Sequence, residues 1–341
     1  MGKLVAAQIG TGYWGPNVAN SFLATERVDL RWICDIDSGS LAALGARHPE
    51  ARQTTEIDPI LKDPEVDFVV IVTPTKTHYP IAKAVLQAGK HVLVEKPVTT
   101  DVAEAEELKD LAEKAGLVFM VGHVFQYNAS IMVLKDMIEN GELGEINYLS
   151  LTRTNLGPVR TDVNALWDLV SHDAYIMMDL LGSEPVAVSA MGHAYLNKDV
   201  EDVVFATFTF GSGAMAHVHA SWLNPRKVRQ ITVVGSKKMA VWDDLDMEHP
   251  ICVYEKRVEH PEPGTLEGSF LEYKTMVVDG GTTYPVIELN QPLLTQCEHF
   301  IDCVEKGTTP RSNGDVGTAV VRILSAAEIS MQNQGALTPI T

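Results

Sequence analysis

Basic residues are scarce in this chain: 27 Lys and Arg stand against 45 Asp and Glu, a formal net charge of -18 over 341 residues. Neutralising a phosphate backbone takes clustered cations, so this balance argues against a nucleic-acid partner. An anionic small molecule would need a local basic pocket set against the overall field. Cysteine is also sparse. The four residues (Cys34, Cys252, Cys297 and Cys303) form no CxxC pair and have no histidine at zinc-ligand spacing, so reduced core thiols are expected and no metal. No apolar run approaches the roughly 20 residues that cross a bilayer, and Lys3 leads directly into a strand-like segment without a signal-peptide pattern. A cytoplasmic protein without a membrane partner is the expectation. Repeats, low-complexity tracts and long linkers are lacking too, while 341 residues exceed what one core usually organises, which predicts two domains.

From Lys3 to Gly122, short apolar runs alternate with helix-like stretches, the pattern of a parallel sheet covered on both faces. Strands are predicted at 4–9, 28–35, 68–73, 91–95 and 118–122. The clearest helix is "TTDVAEAEELKDLAEKAG", where Asp101 and Glu104 form a capping-box pattern, Lys114 sits in the last turn and Gly116 ends the run. Such units imply an α/β, doubly wound fold. Beyond Gly122 the pattern changes. A helix at 130–140, the strand "INYLSLTRT" and a helix around 167–181 precede strand candidates at 186–194, 203–210, 214–222, 229–234 and 238–243. This succession suggests a large open, mainly antiparallel sheet, whose bare face invites self-association. Helices at 293–305 and 316–333 close the pattern.

The stretch "AAQIGTGYWGPNVANSF" places Gly10, Gly12 and Gly15 between a strand and a helix. In a dinucleotide fingerprint the first glycine makes the tight turn and the second admits the pyrophosphate. The third lets helix and strand pack closely. The fingerprint also needs an acidic residue at the end of the second strand, to bind ribose; Asp35, which ends "LRWICD", meets that need. No arginine follows in "CDIDSGS" to receive a 2'-phosphate, so NAD is favoured over NADP.

Three further stretches carry candidate chemistry. "VVIVTPTKTH" brings Thr73 and Pro74 to the carboxyl edge where open parallel sheets bind ligands, although a plain strand-ending turn reads the same way. "HVLVEKPV" brings Glu95 and Lys96 to the same edge, where the lysine is either a ligand-facing ammonium or a surface charge. "NALWDLVSHDAYIMMDLLG" sets Asp168 and His172 four apart on a predicted helix, either a helix-surface contact or a base with its carboxylate. His217 and His219 share one strand face and are read as sheet-face or subunit-contact residues, not metal ligands.

Taken in order, "GTGYWG", "VTPTKTH", "EKP" and "WDLVSHD" resemble the glucose-fructose oxidoreductase, inositol dehydrogenase and MocA (Gfo/Idh/MocA) family across essentially the whole chain. The resemblance implies an NAD-binding Rossmann domain at 1–122. It implies a substrate-binding and oligomerisation domain at 123–341, with the C-terminal helix packing back on the first domain, and a homodimer or homotetramer formed through the open sheet. The implied cofactor contacts are Gly10, Gly12, Tyr13, Trp14, Gly15, Asp35, Ile36, Thr73, Pro74, His78, Glu95 and Lys96. Lys96, Asp168 and His172 take the catalytic roles: His172 as base, Lys96 beside the nicotinamide and the reacting carbon, Asp168 orienting the imidazole.

The stretch "NLGPVRTDVNALWDLVSHD" is similar to members from nucleotide-sugar pathways, among them UDP-N-acetylglucosamine 3-dehydrogenases. That likeness adds Arg153, Asn155, Arg160 and Trp167 to the substrate contacts, and Arg226 or Lys227 as further positive charge for a diphosphate. One segment departs from the family: "GHVFQYNAS" has Gln126, Tyr127 and Ala129 where many members carry Arg-Phe-Asn-Pro. The expected function is NAD-dependent oxidation of a secondary hydroxyl on a sugar ring, with an inositol or free-sugar dehydrogenase and a non-catalytic NAD-binding regulator as the alternatives.

Overall fold

The computed structural model describes residues 2–259 and 276–341, which divide into two compact units. The first contains residues up to Asn128 together with Arg160–Tyr175 and Asn290–Ser325. It is built on six strands: β1 (Leu4–Ile9), β2 (Val28–Cys34), β3 (Arg52–Thr54), β4 (Phe68–Ile71), β5 (His91–Val94) and β6 (Phe119–Val121). They pair in parallel in the order β3-β2-β1-β4-β5-β6, the doubly wound arrangement. Helices α1 (Gly15–Ala24), α2 (Ser38–Gly45), α3 (Asp58–Lys62), α4 (His78–Gln87) and α5 (Val102–Ala115) connect them. Central strand β4 reads Phe-Val-Val-Ile and is buried at every residue, as a strand covered on both faces must be. Strand β3 was not predicted: its three residues, Arg-Gln-Thr, carry no apolar signal and lie at the sheet edge, where little burial is required.

The second unit contains Ala129–Val159, Ile176–Leu289 and Ala326–Thr341. Its helix α6 (Ala129–Glu139) and strand β7 (Ile146–Leu156) lie where expected. Helix α7 (Ser171–Leu181) and strands β8 (Pro185–His193), β9 (Val203–Phe210), β10 (Met215–Ser221), β11 (Leu223–Gly235) and β12 (Met239–Asp243) follow. Unpredicted strands β13 (Ile251–Glu259), β14 (Met276–Thr283) and β15 (Thr338–Pro339) complete a nine-stranded sheet, ordered β14-β13-β12-β11-β7-β10-β9-β8-β15. All its pairings are antiparallel except β7 with β10. Buried and open residues alternate along β9 and β10, which gives the sheet one packed face and one bare face. On the packed side Trp242 donates from Nε1 to Ser130 Oγ at 2.8 Å. The bare side carries Met191, Phe205 and Met215.

Residues 290–325 follow β14 in the chain and pack in the first unit. They supply α8 (Pro292–Lys306) and the start of α9 (Gly314–Gln332). Phe300 of α8 stands edge-on to Phe68 at 5.2 Å and to Phe22 at 6.1 Å, so a helix from late in the chain seals the core behind β4. Arg27 answers Asp302 across the same contact at 2.7 Å. Between α8 and α9, buried Ser312 donates to Val121 O at 2.7 Å and ties this segment to the end of β6.

Candidate active site

The glycine turn has the geometry its sequence predicts. Gly10 takes φ +103°, and a Cβ there would stand 2.3 Å from Val72 O, so only glycine lets β1 and β4 approach this closely. A Cβ on Gly15 would stand 2.7 Å from Gly10 O, whereas one on Gly12 meets nothing within 4 Å. Buried Gln8 donates from Nε2 to Gly10 O at 2.9 Å and to Gly15 O at 3.0 Å, bracing the turn from below. The signal for Gln8 was present as a polar residue inside an apolar strand. Asp35 closes the turn: its Oδ2 accepts from Thr11 N at 2.6 Å and Thr11 Oγ1 at 3.0 Å. Tyr13 and Ile36, flanking the turn and Asp35, are almost fully exposed, and Trp14 is partly so.

The carboxyl ends of β4 and β5 are tied together by His78. Its ring is buried, with Nε2 at 2.8 Å from Thr73 O and Nδ1 at 2.8 Å from Pro97 O, so both nitrogens face backbone carbonyls. Burial is the main cause that pushes the His78 pKa down. Pro74 is exposed beside it. On the next strand Glu95 accepts from Trp14 Nε1 at 3.0 Å and from Lys96 N at 3.2 Å; burial raises its carboxyl pKa, and the Lys96 charge opposes that rise.

Lys96 precedes a cis peptide bond to Pro97. Its Nζ donates to Asp168 O at 2.8 Å and approaches Asp168 Oδ1 at 3.4 Å. Burial holds the Lys96 ammonium below the ordinary lysine pKa, opposed first by the Asp168 charge. Asp168 does not sit in a regular α-helix: Leu166–Val170 form a π turn that runs into α7. Inserted turns of this kind are frequent at functional sites, and here it sets the Asp168 carbonyl and carboxylate beside one ammonium. Arg160 donates from Nη1 to Asp168 Oδ1 at 3.1 Å, and from Nε and Nη2 to the two Asp162 oxygens at 2.9 and 2.6 Å. Thus Asp168 lies between two cations, an ion-pair role that the four-residue spacing alone did not predict. His172, half-buried on the first turn of α7, stands T-shaped to Phe125 at 5.0 Å and 79°.

The structure therefore gathers Lys96, Arg160, Asp168 and His172 within the first unit, together with the glycine turn, Asp35, Thr73 and Glu95. Trp167 is buried in the same unit, its amide donating to Asn164 Oδ1 at 3.2 Å. Arg153 and Asn155 on β7, and Arg226 and Lys227 on β11, belong to the second unit. Arg153 is buried there, Asn155 donates to Gly157 O, and Arg226 and Lys227 are exposed. His217 and His219 lie on the bare sheet face, the first beside Thr207 at 3.2 Å, the second stacked on Phe205 at 4.6 Å. Among the described residues no cluster of three or more His, Cys, Asp or Glu is arranged to hold a metal.

The residues at the carboxyl edge of the first sheet fit a dinucleotide. Gly12 leaves open space beside the backbone, and Trp14 at the amino end of α1 makes no side-chain capping hydrogen bond, while the helix dipole there favours a phosphate. Asp35 offers a carboxylate one strand away. Some of the buried polar atoms without a partner among the described residues follow strands of this sheet: Thr75 Oγ1 after β4, and both ring nitrogens of His123 and Gln126 Oε1 after β6.

Residues 5–123 match the model of the oxidoreductase family with an NAD-binding Rossmann fold, and residues 131–241 match the GFO/IDH/MocA C-terminal domain. The chain is 32% identical over 261 residues to a UDP-N-acetylglucosamine 3-dehydrogenase of Acidithiobacillus ferrooxidans, covering 76% of this chain and 78% of that one. The solved structure of that organism's UDP-N-acetylglucosamine 3-dehydrogenase GnnA superposes with a TM-score of 0.82 at 26% identity, over 98% of this chain and 99% of the other. A scyllo-inositol 2-dehydrogenase (NAD(+)) of Bacillus subtilis is 27% identical over 80% of this chain and 78% of its own. GenD2 from gentamicin A biosynthesis, solved in complex with NAD, superposes with a TM-score of 0.83 at 28% identity over 100% of this chain and 97% of that one. With both family models in sequence order, an intact glycine turn and a second, mainly antiparallel sheet, this chain belongs to the Gfo/Idh/MocA family and is an oxidoreductase with that family's NAD-binding Rossmann fold.

Proposed function

We propose that this oxidoreductase acts on a sugar or polyol, oxidising or reversibly reducing a secondary ring hydroxyl, and that its substrate is a nucleotide sugar such as UDP-N-acetylglucosamine reacting at C3. The observation that carries the reading is the meeting of Lys96 Nζ with Asp168, at 2.8 Å to the carbonyl and 3.4 Å to the carboxylate, one turn before His172. NAD, when bound, supplies the hydride acceptor. His172 takes the hydroxyl proton, since an imidazole exchanges protons near neutral pH. Lys96 supports negative charge as it develops on the oxygen, an effect strengthened by burial. Asp168 anchors that ammonium and balances its charge. Gly10, Gly12 and Gly15 cradle the pyrophosphate and Asp35 takes the ribose. Tyr13, Trp14 and Ile36 offer apolar surface along the dinucleotide, and Thr73, Pro74, His78 and Glu95 shape the edge around the nicotinamide. The absence of an arginine after Asp35 supports NAD over NADP. Arg160 and Trp167 complete the proposed substrate contacts of the first unit.

One observation favours a second reading within the same chemistry. Arg160, the basic residue beside Lys96, already serves Asp162 and Asp168, which leaves less positive charge for a diphosphate and suits an uncharged polyol. Similarity to inositol dehydrogenases points the same way. Following nicotinamide absorbance with UDP-N-acetylglucosamine, myo-inositol and scyllo-inositol, with and without a 2-keto acid to reoxidise retained cofactor, separates the two. Turnover of the UDP-sugar alone supports the first reading, turnover of the inositols alone supports the second, and no turnover of any of them contradicts both. We also place the homo-oligomer contact on the bare face of the nine-stranded sheet, where Met191, Phe205 and Met215 are exposed.

A further inference from the structure

His123 lies two residues after β6, at the carboxyl edge of the first sheet, yet nothing in the proposed chemistry uses it. Its neighbours place it at the Lys96 site. A Cβ on the preceding Gly122 would stand 3.0 Å from the Glu95 carboxylate, so the ends of β5 and β6 lie against each other. The His123 ring stacks on Tyr175 at 5.3 Å and 18°, and Tyr175 lies three residues beyond His172 on the same face of α7. Phe125, two residues on, meets His172 itself. The His123 side chain is 1% exposed, but neither ring nitrogen has a hydrogen-bond partner among the described residues. Leaving two buried polar atoms unpaired lowers stability, and a phenyl ring would stack on Tyr175 without that penalty.

We infer that His123 is a ligand-binding residue of the Lys96 site, where its ring hydrogen-bonds an uncharged polar group, a hydroxyl or an amide, of the bound dinucleotide or sugar. The inference rests on the reading that Lys96 faces both ligands. Burial and the nearby Lys96 charge push the His123 pKa down to about 3, so the ring is neutral at working pH, with one donor and one acceptor. A neutral ring matches a hydroxyl or carboxamide. It gives no ionic partner to a carboxylate.

The test compares the full-length protein with its His123→Phe and His123→Asn variants by calorimetric titration with NAD, with ADP-ribose, and with UDP-N-acetylglucosamine or myo-inositol in the presence of NAD, alongside thermal melting. His123→Phe is expected to melt at or above the wild-type temperature and to lose about tenfold or more in affinity for the ligand it contacts, with His123→Asn recovering part of that loss. Weaker NAD binding with unchanged ADP-ribose binding assigns the contact to the nicotinamide carboxamide. Unchanged binding of NAD and ADP-ribose with weaker sugar binding assigns it to the sugar. An equal loss for NAD and ADP-ribose assigns it to a ribose hydroxyl, and unchanged affinity for every ligand overturns the inference. If the wild type itself binds neither dinucleotide nor sugar, the reading of the site fails, and the inference with it. Should His123→Phe fail to fold, His123→Asn is read against the wild type in the same titrations.

Discussion

Alanine at Gly12 and alanine at Gly10 should have opposite consequences, and the contrast distinguishes a cofactor cradle from a merely tight turn. At Gly12 a Cβ meets nothing within 4 Å and the backbone is not left-handed, so the folded chain accepts the methyl group without strain. Alanine also narrows the unfolded ensemble, worth up to about 1 kcal/mol. The melting temperature should stay level or rise by roughly 2–4 °C. The new methyl, however, projects where the pyrophosphate must approach, and NAD affinity should fall at least tenfold, about 1.4 kcal/mol. At Gly10 the backbone sits at φ +103° with Val72 O only 2.3 Å from the new Cβ. Backbone strain and overpacking together cost about 2–6 kcal/mol, so this variant should melt well below the wild type. Calorimetric titration with NAD and thermal denaturation read both effects. A Gly12→Ala protein that binds NAD with wild-type affinity, or a Gly10→Ala protein that melts with the wild type, would refute the reasoning.

Arg160→Gln tests the substrate class. If Arg160 leaves Asp162 to grip a diphosphate, KM for the UDP-sugar rises about tenfold while KM for an inositol is unchanged; equal KM values for variant and wild type on both substrates would leave Arg160 a purely structural ion. The same variant has a pH signature. The Arg160 charge helps hold the Lys96 pKa below that of a free lysine. Removing it raises that pKa, keeps the ammonium to higher pH, and should move the alkaline fall in kcat upward; a downward move would contradict the sign. Phe300→Ala removes the ring that α8 sets against Phe22 and Phe68, and urea denaturation should show a loss of about 3–5 kcal/mol, whereas a loss under about 1 kcal/mol would mean that α8 does not seal this core.

Much of the first sheet was legible because its information is local. An apolar strand, three glycines and an acid at the end of the second strand are each set by contacts within a few residues or by backbone geometry, and Gly10, Gly15 and Asp35 lie as the pattern implies. The reactive cluster was legible in composition but not in geometry. Lys96 and Asp168 are separated by 72 positions, and the π turn that brings the Asp168 carbonyl to the ammonium has no signature in a helix-like run such as "LWDLVSHD". For the same reason the ion pairs of Arg160 with Asp162 and Asp168 were not legible: the likeness that offered Arg160 as a substrate contact says nothing of which carboxylates the fold sets beside it. Strands β3 and β15 escaped notice because they are very short, and neither has room for a period-two pattern. His123 could have been flagged as a polar residue ending a buried strand at the ligand edge. Its burial and stacking on Tyr175 depend on α7, more than fifty residues on by the numbering, which no local pattern encodes.

The most direct measurement replaces Lys96 by methionine, which keeps the length of the side chain and removes its charge, and follows nicotinamide absorbance on whichever sugar the wild type turns over, alongside an NAD titration. Turnover should fall by about a hundredfold or more while NAD still binds within a few-fold of wild type. A Lys96→Met protein that binds NAD and turns over at near wild-type rate would contradict the assignment of this site as the place where the ring hydroxyl reacts.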